Sequence, residues 1–369
     1  ARAARCPRPP PACRWRGWFP LIRLLIVGTG AMAHSHAKAF AAMGDVAFAA
    51  SVDPNVDARA AFNREFNIPN GFDSVAEAIA WGEFDAATNV TPDAIHHRTT
   101  MPLIAAGKHV LCEKPLATCH ADASEMAVAA QAAGVVNMVN LTYRNVPALM
   151  QAAQIVRDGQ IGEIRHFEAS YLQSWLTQDL WGDWRTEDAW LWRLSSAHGS
   201  MGVLGDVGVH ILDFATFAAG SSVDRVSCRL KTFEKAEGGR IGDYSLDAND
   251  SMAMHLSLKN GAIGVIHASR FASGHINDLR LRLFGTEGGL DVRFEGSEST
   301  LSVCKGGDLS QANWEDLQTP SITPNFRRFI LAINDGASVS PDFARGATLQ
   351  RVLDMAVASD AADACDQRV

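Results

Sequence analysis

The sequence lacks several features that would indicate a membrane, a metal or nucleic acid. No run approaches the roughly 18 consecutive apolar residues that a membrane-spanning helix needs. The net charge is −8, and the part of the sequence expected to fold contains no stripe of basic residues. Both features argue against nucleic acid as a partner. The seven cysteines show no metal-ligand spacing, so we expect no metal site and reduced thiols in a cytoplasmic protein. We find no internal repeat.

The composition is that of a soluble globular protein. With 369 residues, 47% hydrophobic and 20% charged, the chain is long enough for about two domains. Residues 1–22 differ from the rest, because they carry five arginines and no acid, with four prolines before Trp15. They have no continuous apolar stretch of the secretory type, so we interpret them as a transit-like or mistranslated extension and expect disorder.

A nucleotide-binding turn follows this extension. Leu24–Val27 is predicted to be a strand, Gly28-Thr29-Gly30-Ala31-Met32-Ala33 follows it directly, and a helix is predicted over about 34–43. In this pattern Gly28 makes the tight turn, Gly30 lets the backbone approach a pyrophosphate, and Ala33 permits close helix–strand packing. An ordinary strand–helix turn is the alternative, and the strand–turn–helix context favours a dinucleotide.

The next strand indicates which dinucleotide. The strand predicted over 46–52 ends in Asp53, 25 residues after Gly28. A carboxylate at this place can accept hydrogen bonds from both ribose hydroxyls of NAD, and it would repel the 2′-phosphate of NADP. We therefore predict NAD as the cofactor, with NADP as the alternative.

Strands and helices then alternate, which predicts a parallel, doubly wound sheet. The strand over 84–90 ends at Thr91-Pro92, and a buried strand over 110–112 leads to Glu113-Lys114-Pro115. Lys114 is thereby placed at the carboxyl end of a buried strand, the edge where such sheets bind ligands. The simpler interpretation is a strand-end lysine whose amine reaches water.

The second half of the chain has a different texture. After a helix over 148–157, apolar residues alternate along several segments, and Asn260-Gly261 is a strong hairpin signal. The predicted strands are 164–172, 223–233, 251–258, 262–271, 279–284 and 290–294, and the chain closes with helices over 325–334 and 348–362. This predicts an open, mainly antiparallel sheet, whose free face suits contacts between subunits.

A second group of polar residues precedes that sheet. Asp206, His210 and Asp213 are spaced to share one stripe of a helix, while Gly205 and Gly208 would let a ligand or backbone approach. A histidine beside a carboxylate suits a general base. The alternative is that Asp206 caps the helix and His210 is a satisfied buried histidine. Five of the nine tryptophans lie in 175–192, where they suit sugar rings or simply a core.

At this point the chain resembles the Gfo/Idh/MocA family of oxidoreductases, from about Arg23 to the C-terminus. The matching segments are Gly28–Ala33, Asp53, Thr91-Pro92 with His96, Glu113-Lys114-Pro115, Gly205–His210, Phe284–Gly288 and the helix Phe329–Gly336. The resemblance implies an N-terminal Rossmann domain over 23–142 and a C-terminal substrate-binding and oligomerisation domain over 143–369. It also implies oxidation or reduction of sugars, cyclitols or polyols, and a homodimer or homotetramer formed through the C-terminal sheet.

The resemblance assigns residues to roles. The catalytic residues are expected to be Lys114, Asp206 and His210. The expected cofactor-binding residues are Gly28, Thr29, Gly30, Ala31, Met32, Asp53, Thr91, Pro92, His96, Glu113 and Lys114. Substrate contacts are expected from Lys114, Tyr143, Arg144, Trp192, Arg193, Asp206 and His210, although Arg193 could equally pair with a surface acid. The roles of His34 and His36 are not settled by the resemblance.

The expected mechanism follows from charge. His210 is the predicted general base, Asp206 would orient it, and Lys114 would hold the developing alkoxide with a pKa lowered by burial and a nearby cation. Two alternatives stay open within the family: an NADP-dependent reductase, or a tight-cofactor enzyme with no net redox change. A non-catalytic nucleotide-binding regulator is disfavoured, because it would not need all three residues.

Overall fold

The computed structural model describes residues 21–369. Most of the predicted extension, residues 1–20, lies outside the described residues. Its last residue, Ile22, begins the first strand of the fold. No helix within the described range is long and apolar enough to cross a membrane.

The N-terminal half is a doubly wound parallel sheet of six strands in the order β3-β2-β1-β4-β5-β6, as the sequence predicted. Residues of β1, β4 and β5 are almost all buried, because helices cover both faces. The elements are β1 Ile22–Val27, α1 Ala31–Ala41, β2 Val46–Val52, α2 Val56–Phe66, β3 Gly71–Phe72, α3 Val75–Trp81, β4 Ala86–Asn89, α4 His96–Ala105, β5 His109–Cys112, α5 His120–Ala133 and β6 Asn137–Val139.

The C-terminal half is built on one large sheet and a few helices. Its elements are α6 Pro147–Arg157, β7 Ile164–Leu172, α7 Asp188–Leu191, α8 Val209–Ala218, β8 Val223–Lys231, β9 Arg240–Ile241, β10 Tyr244–Ser245, β11 Ser251–Leu258, β12 Ile263–Ser269, β13 Asp278–Gly285, β14 Gly288–Glu295, β15 Glu298–Lys305, β16 Glu315–Leu317, α9 Asn325–Asp335, α10 Phe343–Ala361 and β17 Gln367–Arg368. The pair β9 and β10 forms a separate small ribbon.

Nine strands form the large sheet, in the order β16-β15-β14-β13-β7-β12-β11-β8-β17. All neighbours are antiparallel except β7 and β12, which run parallel, so the expectation of a mainly antiparallel sheet is confirmed. Buried and exposed residues alternate along the strands, for example in β11. One face therefore packs on the molecule's core and the other faces outward.

Two connections join the halves of the molecule. Helix α8 is buried along nearly its whole length, in the main hydrophobic core. Helix α9 returns to the N-terminal sheet, where Phe329 and Ile330 share a buried cluster with residues of β1, α1, β4 and β5. The chain thus contributes C-terminal residues to the packing of the nucleotide-binding half.

Candidate active site

The turn after β1 has the geometry that a dinucleotide requires. Gly28 has φ +94°, and a Cβ there would lie 2.9 Å from the carbonyl oxygen of Val90, so only glycine fits. A Cβ on Gly30 would meet nothing within 4 Å, which leaves open space above the turn. Helix α1 begins at Ala31 without a side-chain cap, and its backbone N–H groups remain available to an anion. The residues present therefore fit the pyrophosphate of a dinucleotide.

Asp53 is held beside this turn. Its Oδ2 accepts hydrogen bonds from Thr29, at 2.9 Å from the backbone nitrogen and 2.8 Å from Oγ1. The nearest arginine of α2 is Arg59, which donates to the carbonyl oxygens of Asp53 and Phe72 and pairs with Asp73 at 2.6 Å. These acceptors all bind Nη1, so they hold one end of the Arg59 guanidinium beside the main chain of Asp53.

Lys114 and Asp206 meet across the two halves of the molecule. Lys114 follows β5, and its Nζ lies 2.8 Å from Oδ1 and 3.1 Å from the carbonyl oxygen of Asp206. Asp206 also accepts from Arg193 at 3.2 Å and from Arg270 at 3.0 Å. Arg193 thus pairs with an acid that belongs to the candidate site, and its contact with a substrate stays a prediction.

These contacts fix the charges of the pair. Burial lowers the pKa of Lys114, but Asp206, Asp93 and Glu113 together raise it above its usual value. The predicted fall in the pKa of Lys114 is therefore wrong for the protein alone. Burial raises the pKa of Asp206, yet Lys114, Arg193 and Arg270 hold it well below its usual value. Both side chains are accordingly charged near neutral pH.

His210 lies close to the pair in a dry environment. Only 7% of it is exposed, and the Tyr143 ring packs edge-on against it at 5.0 Å between centroids. Its Nδ1 has no hydrogen-bond partner among the described residues, so Asp206 does not orient it as predicted. Burial, with Lys114 nearby, lowers the pKa of His210 to about 3, well below the near-neutral value expected of a base.

The predicted stripe of Asp206, His210 and Asp213 does not form. Residues Leu204–Gly208 adopt a π-helical turn before α8, and this turn aims Asp206 at Lys114 rather than in line with Asp213. The alternative role of Asp206 as a cap is not observed either, because the cap residue of α8 is Gly208. A Cβ on Gly205 or Gly208 would strike the side chains of Met201 and Met252, so both glycines serve packing rather than a ligand.

The expected substrate contact from Arg144 is wrong. Arg144 is 3% exposed and donates to both oxygens of Asp213, at 2.6 and 2.8 Å. Arg345 of α10 reaches the same carboxylate at 2.7 Å. Two arginines and one aspartate thus form a buried cluster in which both oxygens of Asp213 engage Arg144.

Two of the expected cofactor contacts lie beneath the surface that a cofactor could touch. His96 is fully buried, and both its ring nitrogens face backbone carbonyl oxygens. Glu113 is 6% exposed and accepts from His36 at 2.8 Å and from Asn140 at 2.6 Å. These two residues support the edge of the sheet, whereas Thr91 and Pro92 lie on it and are partly or fully exposed.

The tryptophans divide between packing and the surface. Trp175 and Trp184 are buried in a small core with Leu176, Leu191 and Leu194, so the core interpretation holds for these two. Trp181, Trp190 and Trp192 are partly exposed. The guanidinium of Arg193 lies 4.8 Å from the ring centroid of Trp192, which places Trp192 beside the Asp206 cluster.

The sequence did not identify several side chains of this region. Arg270 follows β12 and is fully buried, and its partner Asp206 lies 64 residues away, so no local pattern marks it. Asp93 lies between Pro92 and His96 at the ligand edge, and that position in the chain could have identified it. Tyr171, Gln173 and Asn277 form a hydrogen-bonded group with Tyr143, beside His210. The cysteines within the described range are free, and no cluster of metal ligands occurs there.

Comparison with known proteins places this geometry in context. Residues 22–141 match the family described as "Oxidoreductase family, NAD-binding Rossmann fold", and residues 149–291 match the GFO/IDH/MocA C-terminal domain. These are the two domains of one family.

Individual proteins similar to this chain include enzymes that are named as sugar dehydrogenases and reductases. Levoglucosan dehydrogenase of Pseudarthrobacter phenanthrenivorans is 26% identical over 91% of this chain and 95% of its own. 1,5-Anhydro-D-fructose reductase of Ensifer adhaerens is 31% identical over 63% of each chain. A solved structure of levoglucosan dehydrogenase with NADH and levoglucosan superposes with a TM-score of 0.83 at 26% identity, covering 94% of this chain and 99% of that one.

Proposed function

The chain belongs to the GFO/IDH/MocA family of NAD-binding oxidoreductases, and from this premise we propose that it oxidises a hydroxyl group of a sugar, cyclitol or polyol. The observation that carries the proposal is the meeting of Lys114 and Asp206, from opposite halves of the chain, beside a neutral His210. A proton acceptor and a fixed cation at the ligand edge of a Rossmann sheet suit removal of a proton from an alcohol.

Bound NAD would accept the hydride that leaves the substrate carbon. Gly28, Gly30 and the start of α1 would hold its phosphates, and Asp53 its ribose. Lys114 would stand where the nicotinamide end meets the substrate, because it lies on the same edge of the sheet as the glycine turn.

The side chains divide the work by charge. His210 is neutral, so it can take the hydroxyl proton as hydride departs. Lys114 is kept protonated by Asp206, so its role is to donate a hydrogen bond to the developing alkoxide rather than to act as base. Asp206, held ionised by three cations, would accept from a neighbouring hydroxyl of the substrate. Trp192 and Tyr143 would flank the sugar ring.

NADP is disfavoured as the cofactor. Asp53 would face the 2′-phosphate with like charge, and Arg59 is engaged by other acceptors. A net non-redox reaction has no specific support from the geometry, and a regulator without catalysis would not need the charged pair.

The test is a panel of sugars, anhydrosugars, inositols and polyols, assayed by NADH absorbance with the whole chain. For an accepted substrate, Lys114→Ala should lower turnover on the order of a hundred- to a thousand-fold while NADH affinity and the melting temperature stay close to wild type. Lys114→Arg keeps the positive charge but moves the donor, so its turnover shows whether the charge alone is sufficient. Near-normal turnover in a folded Lys114→Ala variant would remove Lys114 from the mechanism.

We further propose that the enzyme works in the cytoplasm as a homodimer or homotetramer through the outer face of the nine-stranded sheet. Support comes from Ile263, which is 57% exposed on that face, and from the exposed His255 and His267 beside it. Light scattering should give a multiple of the chain mass, and Ile263→Glu should lower it. A wild-type mass equal to one chain would end this proposal.

A further inference from the structure

His96 is a buried polar side chain to which the proposed mechanism assigns no work. It begins α4, directly after the short turn Asp93–Ile95, and none of it is exposed. Its Nδ1 lies 2.8 Å from the carbonyl oxygen of Pro115, and its Nε2 lies 2.8 Å from the carbonyl oxygen of Thr91. The ring therefore bridges the turns that follow β4 and β5.

The chemistry of these contacts determines the protonation of the ring. A carbonyl oxygen can only accept, so each ring nitrogen must donate. A neutral imidazole carries one N–H, and only the imidazolium carries two. Exchanging the two nitrogens between the contacts does not change this count, because both partners are acceptors.

We propose that His96 is a buried imidazolium that positions Lys114 by tying the Thr91-Pro92 turn to the Lys114-Pro115 turn. The proposal rests on the proposed function for the role of Lys114, but the charge of His96 rests on geometry alone.

The surroundings of the ring compensate the buried charge. Asp93 faces it from the preceding turn, and Cys112 faces it from the end of β5. Burial disfavours the charged ring, but Asp93 and the carbonyl oxygen of Pro115 favour it, and the pKa of His96 is raised above its usual value. Asp93 also raises the pKa of Lys114. Burial raises the pKa of Asp93 itself, and His96 and Lys114 both act against that rise.

The main chain on the other side of Lys114 is also tied. The backbone N–H of Lys114 donates to Oε2 of Glu113 at 3.2 Å. The other oxygen of Glu113 accepts from His36 at 2.8 Å, and Nδ1 of His36 lies 2.7 Å from Thr88 Oγ1. His36 therefore anchors the residue before Lys114 and His96 the residue after it. A displacement of about 1 Å at the reacting groups can cost a hundredfold in rate, so such anchoring affects catalysis.

The protonation of His96 is tested by nitrogen NMR of the whole ligand-free chain labelled at histidine. Both ring nitrogens of His96 should carry protons throughout the range from mildly acidic to mildly alkaline pH, and His96→Gln identifies the signals by removing them. A bare ring nitrogen on His96 near neutral pH would overturn the proposal. This measurement needs no substrate, so it stands even if the proposed function fails, and correlation of the ring nitrogens with the assigned backbone identifies the His96 signals if the variant does not fold.

The positioning role is tested by His96→Gln against His97→Gln. His97 is the next residue of α4, and it is partly exposed and paired with Glu125 at 2.9 Å. Glutamine is uncharged and carries both its N–H donors on one nitrogen, whereas His96 contacts the two turns through separate nitrogens. His96→Gln should therefore lower kcat about ten- to a hundred-fold with NADH affinity within about threefold of wild type, and it should shift the Lys114 ammonium signal. His97→Gln should change neither quantity. Wild-type kcat with an unmoved Lys114 signal in His96→Gln would overturn the positioning role, and so would equal losses in the two variants.

Discussion

Asp206 shows how single residues set the charges of this site. Its carboxylate accepts from Lys114, Arg193 and Arg270, and Arg270 is itself fully buried. Three cations around one carboxylate keep it ionised, and the carboxylate in turn keeps the lysine protonated. The base of the reaction must therefore be a third group, and His210 is the neutral candidate beside them.

The low pKa of His210 leads to a prediction about pH. A base acts when deprotonated, and the pKa of His210 falls from 6.5 to about 3. Protonation of His210 should then begin to limit kcat/KM only below roughly pH 4, so the rate of alcohol oxidation should be independent of this group from there to neutral pH. Initial rates across this range, with saturating NAD, measure the profile.

His210→Gln is the matched variant. It should lower turnover at every pH and remove the acid limb of the profile, because glutamine cannot accept the proton. An acid limb that persists unchanged in an active His210→Gln enzyme would show that the base lies elsewhere. A fall in the wild-type rate near pH 6.5 would show that His210 is more accessible to water in the complex with cofactor and substrate than in this structure.

A second prediction concerns the preference for NAD over NADP, which we attribute to Asp53. Like charges at a 2′-phosphate cost about 1.4 kcal/mol or more, so wild-type catalytic efficiency should favour NAD over NADP by at least about tenfold. Asp53→Ser should narrow this ratio, mainly by loss of efficiency with NAD, because Arg59 remains bound to its own acceptors. Equal efficiency of the wild type with both cofactors would show that Asp53 does not face the ribose.

Local sequence signals revealed only part of the site. The glycine turn and the lysine before a proline can be recognised from the residues next to them in sequence. The structure brings Lys114 and Asp206 together, and their catalytic roles stay predictions. Arg270 has no such mark, because its partner is distant in sequence. Arg144 was misplaced for the same reason, since its buried partner depends on how α8 packs. The charge of a residue also depends on burial, which a sequence does not state.

At the scale of elements, α8 is held by a buried ion cluster. Asp213 accepts hydrogen bonds from Arg144 and Arg345. Burial raises the pKa of Asp213, but the two arginines lower it by more, so the pKa falls from 3.8 to about 2. Asp213→Asn should lower the free energy of unfolding by about 3–5 kcal/mol, because it leaves two arginines buried without their anion. Urea unfolding measures this loss.

The same cluster has a pH signature. A carboxylate whose pKa is depressed in the folded state contributes its full stability above the unfolded value of 3.8, and the contribution is lost as the pH falls from there toward 2. The Asp213→Asn variant should lack this part of the acid dependence. Arg144→Met should lower stability rather than raise KM, and the reverse pattern would restore Arg144 as a substrate contact.

Strong alternation and clear turns made most elements predictable. β2, β7 and β11 have the predicted bounds, and the other predicted strands differ at their ends by a few residues. The strand β15 was not predicted, because Leu301 and Val303 are the only buried apolar residues in its alternating part before Cys304. β16 and β17 are two or three residues long and owe their pairing to neighbours in the sheet. The π-helical turn before α8 has no sequence signature of its own.

At the scale of the whole molecule, the side chains of the candidate site come from both halves of the chain. Lys114 belongs to the parallel sheet and Asp206 to the segment before α8, so the site exists only when the halves are packed together. The sequence predicted the division near residue 142, and it did not predict that α9 and α10 return to the first half. The backbone N–H of Val139 donates to the carbonyl oxygen of Pro341 at 2.9 Å, and that of Phe343 donates to Asn137 at 2.8 Å.

This return leads to a prediction about stability. Phe329 of α9 is fully buried against residues of β1, α1 and β5, so Phe329→Ala should cost about 3–5 kcal/mol of unfolding free energy. Val128 lies on α5 with 63% exposure, and Val128→Ala should change the free energy by no more than about 0.5 kcal/mol. Helix α9 supports the sheet that carries the glycine turn, and NADH should bind this sheet only when it is folded. Excess NADH should therefore raise the urea concentration at which half of Phe329→Ala is unfolded, toward that of the wild type. If Phe329→Ala unfolds at the same urea concentration as Val128→Ala, then α9 is not part of the nucleotide-binding core, and a domain ending near residue 142 would stand alone.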